Sequence, residues 1–395
     1  MNLTIVKRCD VLKRLKKFAS IRVLGYPDIR RPEEDNVEIH SASIVKAEWP
    51  KAMRKPFIGL TRDSNANPYW TKYRRFLENN NFDFEIFEYH RSDWCERAKE
   101  YDLVIWSPSS GPAELEEVKR KIYILEQKCG KKCFPDYETL LLCDDKVIST
   151  YCLEMCDLPV AETFISNSFT EIEEKKKNFR YPLVSKLFHG ASSREVSLVN
   201  NPEELFSIAR KAFSFHGRKT HNPYFRQKNY IYFQRFIEGD GLDVRVNIAG
   251  NAITGYFRKP KGGDFRASGS GIVIKEDLPI EAIEIALRTY RKLGKAMLGV
   301  DMMKDTTGRY WIIEISPFIG VRTPTQLKVN GVPGTYFLLE DGTLDFRIES
   351  YWPQELALKV FLEQNYLTTE EEWKKKHIDS ALSKGTLRKR ISYSQ

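Results

Sequence analysis

The stretch Gly299–Ser316, reading GVDMMKDTTGRYWIIEIS, constrains this chain more than any other. Apolar residues flank a turn at Thr307 and Gly308, so a two-residue loop predicts a β-hairpin with Asp301 directly opposite Glu314. The strand period of two leaves Glu314 and Ser316 on one face. Two carboxylates facing each other within apolar strands repel, unless one is protonated or a cation lies between them. Hard oxygen ligands of this kind suit Mg²⁺ carrying a nucleotide phosphate. Read alone, the segment serves equally well as a hairpin whose acids point into water.

At 395 residues the chain has room for two or three packed units. The 42% hydrophobic and 12% aromatic content is that of a folded globular protein, not of a disordered one. No run of about 20 apolar residues is present, and the start, MNLTIVKRCDVLKRLKKF, lacks the apolar core and cleavage site of a secretory signal. A cytoplasmic address without a transmembrane segment is therefore expected. The net charge of +9 is spread along the chain without a nucleic-acid reader motif, so no nucleic-acid partner is expected. Seven cysteines include two pairs separated by three residues, Cys129 with Cys133 and Cys152 with Cys156, but neither the spacing nor a histidine cluster completes a zinc site. They read as reduced structural thiols.

Periodicity divides the chain into five parts: a leader over 1–54, an α/β unit over 55–143, a smaller unit over 144–230, an antiparallel unit over 231–370 and a basic tail over 371–395. In the first unit the strands PFIGLTR, FDFEIFEYH and YDLVIWSPSS alternate with helices, which predicts a parallel layer whose strand ends face a ligand. Helix and strand patterns follow, and then the β-forming series NYIYFQRFIEG, GLDVRVNIAG and NAITGYFRKP. Past residue 325 the patterns weaken. ESYWPQELALKVFLEQ reads as an amphipathic helix, and the last 25 residues as a solvated tail.

No phosphate loop of the GxxxxGK[ST] type and no GxGxxG fingerprint occurs. Charged residues inside apolar strands point to another kind of anion site. Lys186 lies in YPLVSKLFHG, and a buried ammonium must meet a carboxylate or a phosphate. Gly190, Ala191, Ser192 and Ser193 follow, small enough for backbone N–H groups to approach an anion, although an ordinary turn has the same composition. The apolar run from Ile231 to Ile237 leads to Glu238 and Asp243, an arrangement that suits a sandwiched purine and a ribose. Arg245, Arg258 and Arg266 form a cationic series that serves either a phosphoryl group or a carboxylate substrate; solvated sheet-edge arginines would look alike.

In order and spacing these segments resemble the ATP-grasp superfamily, in the branch that includes ribosomal protein glutamate ligases and glutathione synthetases. The resemblance rests on PDYETLLLCDDK (135–146), YPLVSKLFHGASS (181–193), YFQRFIEGDGLDVRV (232–246), RKPKGGDFR (258–266) and the hairpin. It implies an α/β (α+β) fold with an N-terminal pre-ATP-grasp domain, a small lid and a C-terminal antiparallel-sheet domain, ATP lying between the last two. By the same resemblance, Lys146 and Lys186 contact ATP phosphates and the Gly190–Ser193 loop closes over them. Backbone groups of Arg235 and Ile237, in the segment Gln234–Phe236–Ile237, hold adenine, with Gln234 available to its amino group. Asp243, or Glu238 in competition with it, takes the ribose. Asp301, Glu314 and Ser316 hold Mg²⁺, or Mn²⁺. Arg258 and Arg266 lie near the γ-phosphate and the acyl substrate, and Arg322 is the candidate for gripping a substrate carboxylate.

The departures from the family pattern are Ser316, where the family has Asn; Arg235, where it is commonly acidic; and PFIGVRTPTQLKVNG, which differs from the family's small-residue stretch. The resemblance implies an ATP- and Mg²⁺-dependent carboxylate–amine ligase working through an acylphosphate. Its substrates are then a small-molecule or sugar-linked carboxylate and an amine; a homodimer is compatible. A phosphotransferase on the same clasp, and a nucleotide-binding regulatory protein with weakened turnover, are the alternatives.

Overall fold

The two central strands of the first unit, Ile58–Leu60 and Leu103–Ile105, are buried on both faces, as a parallel layer between helices requires. A computed structural model describes residues 39–63, 68–108, 112–190, 196–220, 225–383 and 385–391. Expectations for the first 38 residues, for Ala191, Ser192 and Ser193 and for the last four residues lie outside these. Strands β1 (Ile58–Leu60), β2 (Phe84–Ile86), β3 (Leu103–Ile105) and β4 (Lys132–Phe134) form one parallel sheet in the order β2-β1-β3-β4. Helix Trp70–Asn79 starts where Asp63 accepts from the N–H groups of Tyr69 and Trp70. Part of the predicted leader belongs to this unit: Ile39, Ala42 and Val45 are buried in or beside its core, and Asn80 Oδ1 accepts from Ala47 N–H.

Two aspartates then end one helix and begin the next. Asp136 caps Tyr137–Asp144 through Thr139 N–H, and Asp145 caps Lys146–Met155 through Val147 N–H, which fixes Lys146 at a helix N-terminus. A second sheet joins β5 (Thr163–Ser166), β6 (Leu183–Ser185), β7 (Ser197–Val199) and, beyond the short pair β8 (Arg218–Lys219) and β9 (Arg226–Gln227), β10 (Ile231–Arg235). Its order is β5-β10-β6-β7. The strand expected to open the third unit thus completes the second, and the chain crosses over between residues 236 and 242.

The third sheet has nine strands. β15 (Tyr310–Ser316), β14 (Met297–Lys304), β11 (Asp243–Ala249), β12 (Ala252–Arg258), β17 (Val332–Leu338), β18 (Thr343–Arg347) and β19 (Arg388–Ile391) run in that order, with β13 (Val273–Ile274) on β12 and β16 (Leu327–Val329) on β17. One face packs helix Ile280–Leu293, whose Ala282, Ile283, Ala286, Leu287 and Tyr290 recur at the helical period and are buried. The other face carries the site.

Two C-terminal expectations change. Helix Pro353–Leu362 is buried nearly all round, not amphipathic, because it is wedged against helix Trp70–Asn79 by the buried Arg75–Glu355 ion pair and a Lys72–Trp352 stack. Nor is the basic tail wholly solvated. Trp373, Ile378 and Leu387 enter the main core, and β19 adds to β18 in parallel.

Candidate functional site

The hairpin brings Asp301 opposite Glu314 as expected, but by a different route. Asp305 pairs with Arg309, so the loop has three residues, Thr306–Gly308, and not the expected two. Alone, that would slip the register by one and turn Glu314 to the wrong face. A bulge restores it: Met302 pairs with Ile312 and Asp301 with Glu314, leaving Ile313 as the extra residue. A bulged residue leaves the ladder, and here the carbonyl of Ile313 accepts from Lys186 Nζ at 2.9 Å.

Lys186 lies one residue beyond the end of β6 and is 6% exposed. Its second acceptor is Gln234 Oε1 at 2.7 Å, and Gln234 Nε2 donates onward to Thr163 Oγ1. The Gln234 side chain is therefore committed to Lys186, not open to a base as expected. Burial pulls the Lys186 ammonium down to about 8, against the attraction of Glu314. Lys146 Nζ lies 3.2 Å from Glu314 Oε1 and donates to the carbonyl of Gly190 at 2.6 Å, joining the two lysines of the sequence reading at one carboxylate. Burial opposes the charge on Glu314, but Lys146 and Lys186 outweigh it and hold the carboxyl below its ordinary value.

Beside them lies a denser ion cluster. Asp301 accepts from Arg245 Nε at 2.6 Å and Nη2 at 2.5 Å, a bidentate pair, and from Arg258 Nη2 at 2.7 Å. Arg258 also pairs with Asp243, and Arg245 Nη2 donates to Ser316 Oγ at 3.0 Å. The adjacent strands β12, β11, β14 and β15 supply all of it, because Arg245, Asp301 and Glu314 are in register across β11, β14 and β15, and Asp243 pairs with Arg258 across β11 and β12. Burial works against Asp301, but Arg245 and Arg258 hold its carboxyl well below the usual range. Asp243 moves the other way, to about 7, through burial and the charge of Asp301. Its Oδ1 is buried without a hydrogen-bond partner.

These groups line one side of a cleft between the second and third sheets. Val184, Phe236, Ile237, Met303 and Ile313 provide apolar walls, with Lys186, Gln234, Asp243, Arg258, Asp301 and Glu314 converging at the polar end. Apolar walls with a few converging polar groups are what a nucleotide site needs. Arg235 also borders the cleft, but its backbone N–H is spent on the carbonyl of Glu162, so the expected use of its backbone narrows to the carbonyl. Its guanidinium stacks 4.4 Å from the Trp311 ring, which Arg309 also contacts, at 4.1 Å.

Other expected residues are not brought in. Glu238 is exposed, 3.9 Å from Arg180, and is not a wall of the cleft; Asp243 is. Arg266 borders the cleft but its side chain folds back onto Asp264. Arg322 is exposed in the loop after β15, away from the cleft walls. Asn247, not among the expected site residues, is 2% exposed, and among the described residues neither polar atom of its amide has a hydrogen-bond partner. Its signal was the period of two that puts it on one face with Asp243 and Arg245.

The donor set suits a hard divalent cation. Glu314 has oxygen lone pairs to spare beyond its contact with Lys146, and Asp301 Oδ2 accepts only once. Among the described residues no three His, Cys, Asp or Glu side chains converge as ligands.

Residues 143–330 match the family model described as the RimK-like ATP-grasp domain. The chain is 26% identical over 224 residues to the alpha-aminoadipate–LysW ligase LysX of Saccharolobus solfataricus, covering 55% of this chain and 76% of that protein. It is 24% identical over 225 residues to a probable alpha-L-glutamate ligase of Haemophilus influenzae, covering 56% of this chain and 66% of the relative. Among solved structures, the RimK domain ATP-grasp protein of Sphaerobacter thermophilus aligns with 66% of this chain and 90% of its own, at 15% identity and a TM-score of 0.46.

Proposed function

Because the chain carries a RimK-like ATP-grasp domain over residues 143–330, we propose that it is an ATP- and Mg²⁺-dependent ligase joining a carboxylate to an amine through an acylphosphate. The observation that carries this reading is the convergence of Lys146 and Lys186 on Glu314 at the polar end of an apolar-walled cleft. The two relatives' names put a dicarboxylic amino acid, α-aminoadipate or glutamate, among their substrates. An acidic amino acid is accordingly the substrate class proposed for this chain.

In this reading the purine enters between Val184 and Ile237 on one side and Met303 on the other. The Asp243 Oδ1 atom, buried and without a donor, accepts from a ribose hydroxyl. The two lysines grip the phosphates. Lys186, desolvated before the nucleotide arrives, gains an anion that favours its charged form. Asp301 and Glu314 would hold Mg²⁺, which supplies Lewis-acid neutralisation of the phosphate oxygens. Arg258, fixed between Asp243 and Asp301, presents a cation that needs no reorganisation as charge spreads over the γ-phosphoryl group. The substrate carboxylate oxygen attacks phosphorus, ADP leaves, and the amine then displaces phosphate from the acyl carbon.

The test is incubation with ATP, Mg²⁺, pooled carboxylates including glutamate and α-aminoadipate, and hydroxylamine. Hydroxamate together with ADP is the expected product. A phosphorylated product without hydroxamate would replace the ligase by a phosphotransferase, and ATP binding without ADP release would replace it by a regulatory nucleotide binder.

A further inference from the structure

Ser316 stands where the family resemblance expects an asparagine metal ligand, yet its hydroxyl accepts from Arg245 Nη2 at 3.0 Å. The same Nη2, with Nε, clamps both oxygens of Asp301. A guanidinium therefore spans from the first expected metal ligand to the third. The backbone makes room for it: Gly299 pairs with Ser316 across the hairpin, and a Cβ at Gly299 would lie 3.6 Å from the Arg245 guanidinium carbon and 3.0 Å from Asn247 Oδ1. A Cβ there would be in ordinary contact with the guanidinium and tight only against the Asn247 amide.

Lone pairs give the same answer. Asp301 spends three of its roughly four acceptor positions on Arg245 and Arg258, and Ser316 spends one of about two on Arg245. Among the described residues Glu314 forms an ion pair with Lys146 alone. An ion bridging Asp301 and Ser316 would have to sit against a cation already in place, in a site where screening is poor. An ion on Glu314 and the free position of Asp301 Oδ2 also neighbours Arg245, which holds that oxygen, but it leaves the Arg245 bond to Ser316 in place. In the ion cluster four cations, Lys146, Lys186, Arg245 and Arg258, meet three carboxylates, Asp243, Asp301 and Glu314, and Arg235 also borders the cleft, so its polar end carries a surplus positive charge. A nucleoside triphosphate with one divalent ion remains an anion that this surplus suits. With two ions it is neutral, and the surplus has no counterpart.

We propose that this clasp holds a single divalent cation with its nucleotide, on Glu314 and Asp301, and that Arg245, seated by Ser316, is the built-in replacement for a second. Ser316 is then a positioning residue for Arg245 and not a metal ligand. The proposal rests on the nucleotide-binding part of the ligase reading. The ion is the probe: Mn²⁺ is titrated into the full chain with a non-hydrolysable ATP analogue, with free Mn²⁺ followed by electron paramagnetic resonance and bound nucleotide by equilibrium dialysis.

Wild type is expected to bind one Mn²⁺ per bound nucleotide. Ser316→Ala is expected to keep that stoichiometry, with an Mn²⁺ affinity within about threefold, since it deletes no ligand. The double variant Arg245→Gln with Ser316→Asn, which removes the cation and supplies an amide oxygen, is expected to bind a second ion. If it does not fold, Ser316→Ala decides alone. Two Mn²⁺ per nucleotide in wild type, or a loss of Mn²⁺ affinity beyond about tenfold in Ser316→Ala, overturns the proposal while leaving the ligase reading intact. Absence of bound nucleotide at every Mn²⁺ concentration overturns both.

Discussion

Replacing Lys186 by methionine tests whether its ammonium is desolvated before any ligand arrives. The folded chain lowers this group from an ordinary value of 10.5 to about 8, with burial as the main cause. Between these two pH values the unfolded chain holds a proton that the folded chain has released. Unfolding free energy therefore rises with pH across that window, and the gain is lost again as pH falls through 8. The gap of about 2.5 pH units, at about 1.36 kcal/mol per unit, amounts to about 3 kcal/mol. No discount for solvent screening applies to a side chain 6% exposed. Lys186→Met also strips the donor from Gln234 Oε1 and from the carbonyl of Ile313, at about 1–3 kcal/mol each, but that cost is the same at every pH. The difference between wild type and variant isolates the ammonium. Urea unfolding of both proteins at intervals from pH 7 to pH 11 should show wild type gaining about 3 kcal/mol relative to Lys186→Met over the range. A flat difference would refute the argument, because it would mean that the ammonium keeps its solvation in the folded chain. Calorimetry of ATP binding at pH 9 in buffers of different ionisation enthalpy should report uptake of about one proton by wild type and none through this group in the variant.

Asn247→Leu removes two buried polar atoms that have no partner, and is expected to raise stability by about 1–3 kcal/mol in chemical denaturation; a loss would mean that the amide is satisfied in solution. Gly239→Ala would place a Cβ 2.0 Å from the carbonyl oxygen of Lys304, where the chain crosses from the second sheet to the hairpin. It is expected to lower the melting temperature by several degrees and to weaken nucleotide binding, and an unchanged melting curve would argue against that close approach. Lys146→Ala leaves Glu314 without its ion-pair partner, and nucleotide affinity should fall by about tenfold or more, measured by dialysis, with smaller effect on folding because the lysine sits at a helix end.

The sequence by itself determined which residues share faces. An assumed two-residue loop placed Asp301 against Glu314, the strand period put Glu314 and Ser316 on one face, and an apolar strand marked Lys186 as a buried charge in need of an anion. The order of the motifs carried the resemblance to ATP-grasp proteins. Tertiary structure decided what those residues meet. The hairpin loop is one residue longer than expected, and the bulge at Ile313 cancels the error, a compensation that depends on the carbonyl being taken by a lysine from another sheet. Gln234 reads as a base contact until the second sheet lays it against Lys186. The tail reads as solvated until Trp373 and Ile378 find the core and β19 finds an open edge. Ser316 reads as a weakened metal ligand from its identity alone. Only the packing of β11 against β14 shows a guanidinium spanning the place between it and Asp301, because the partner of a short polar side chain is fixed by what lies across the sheet, not by its neighbours in the chain.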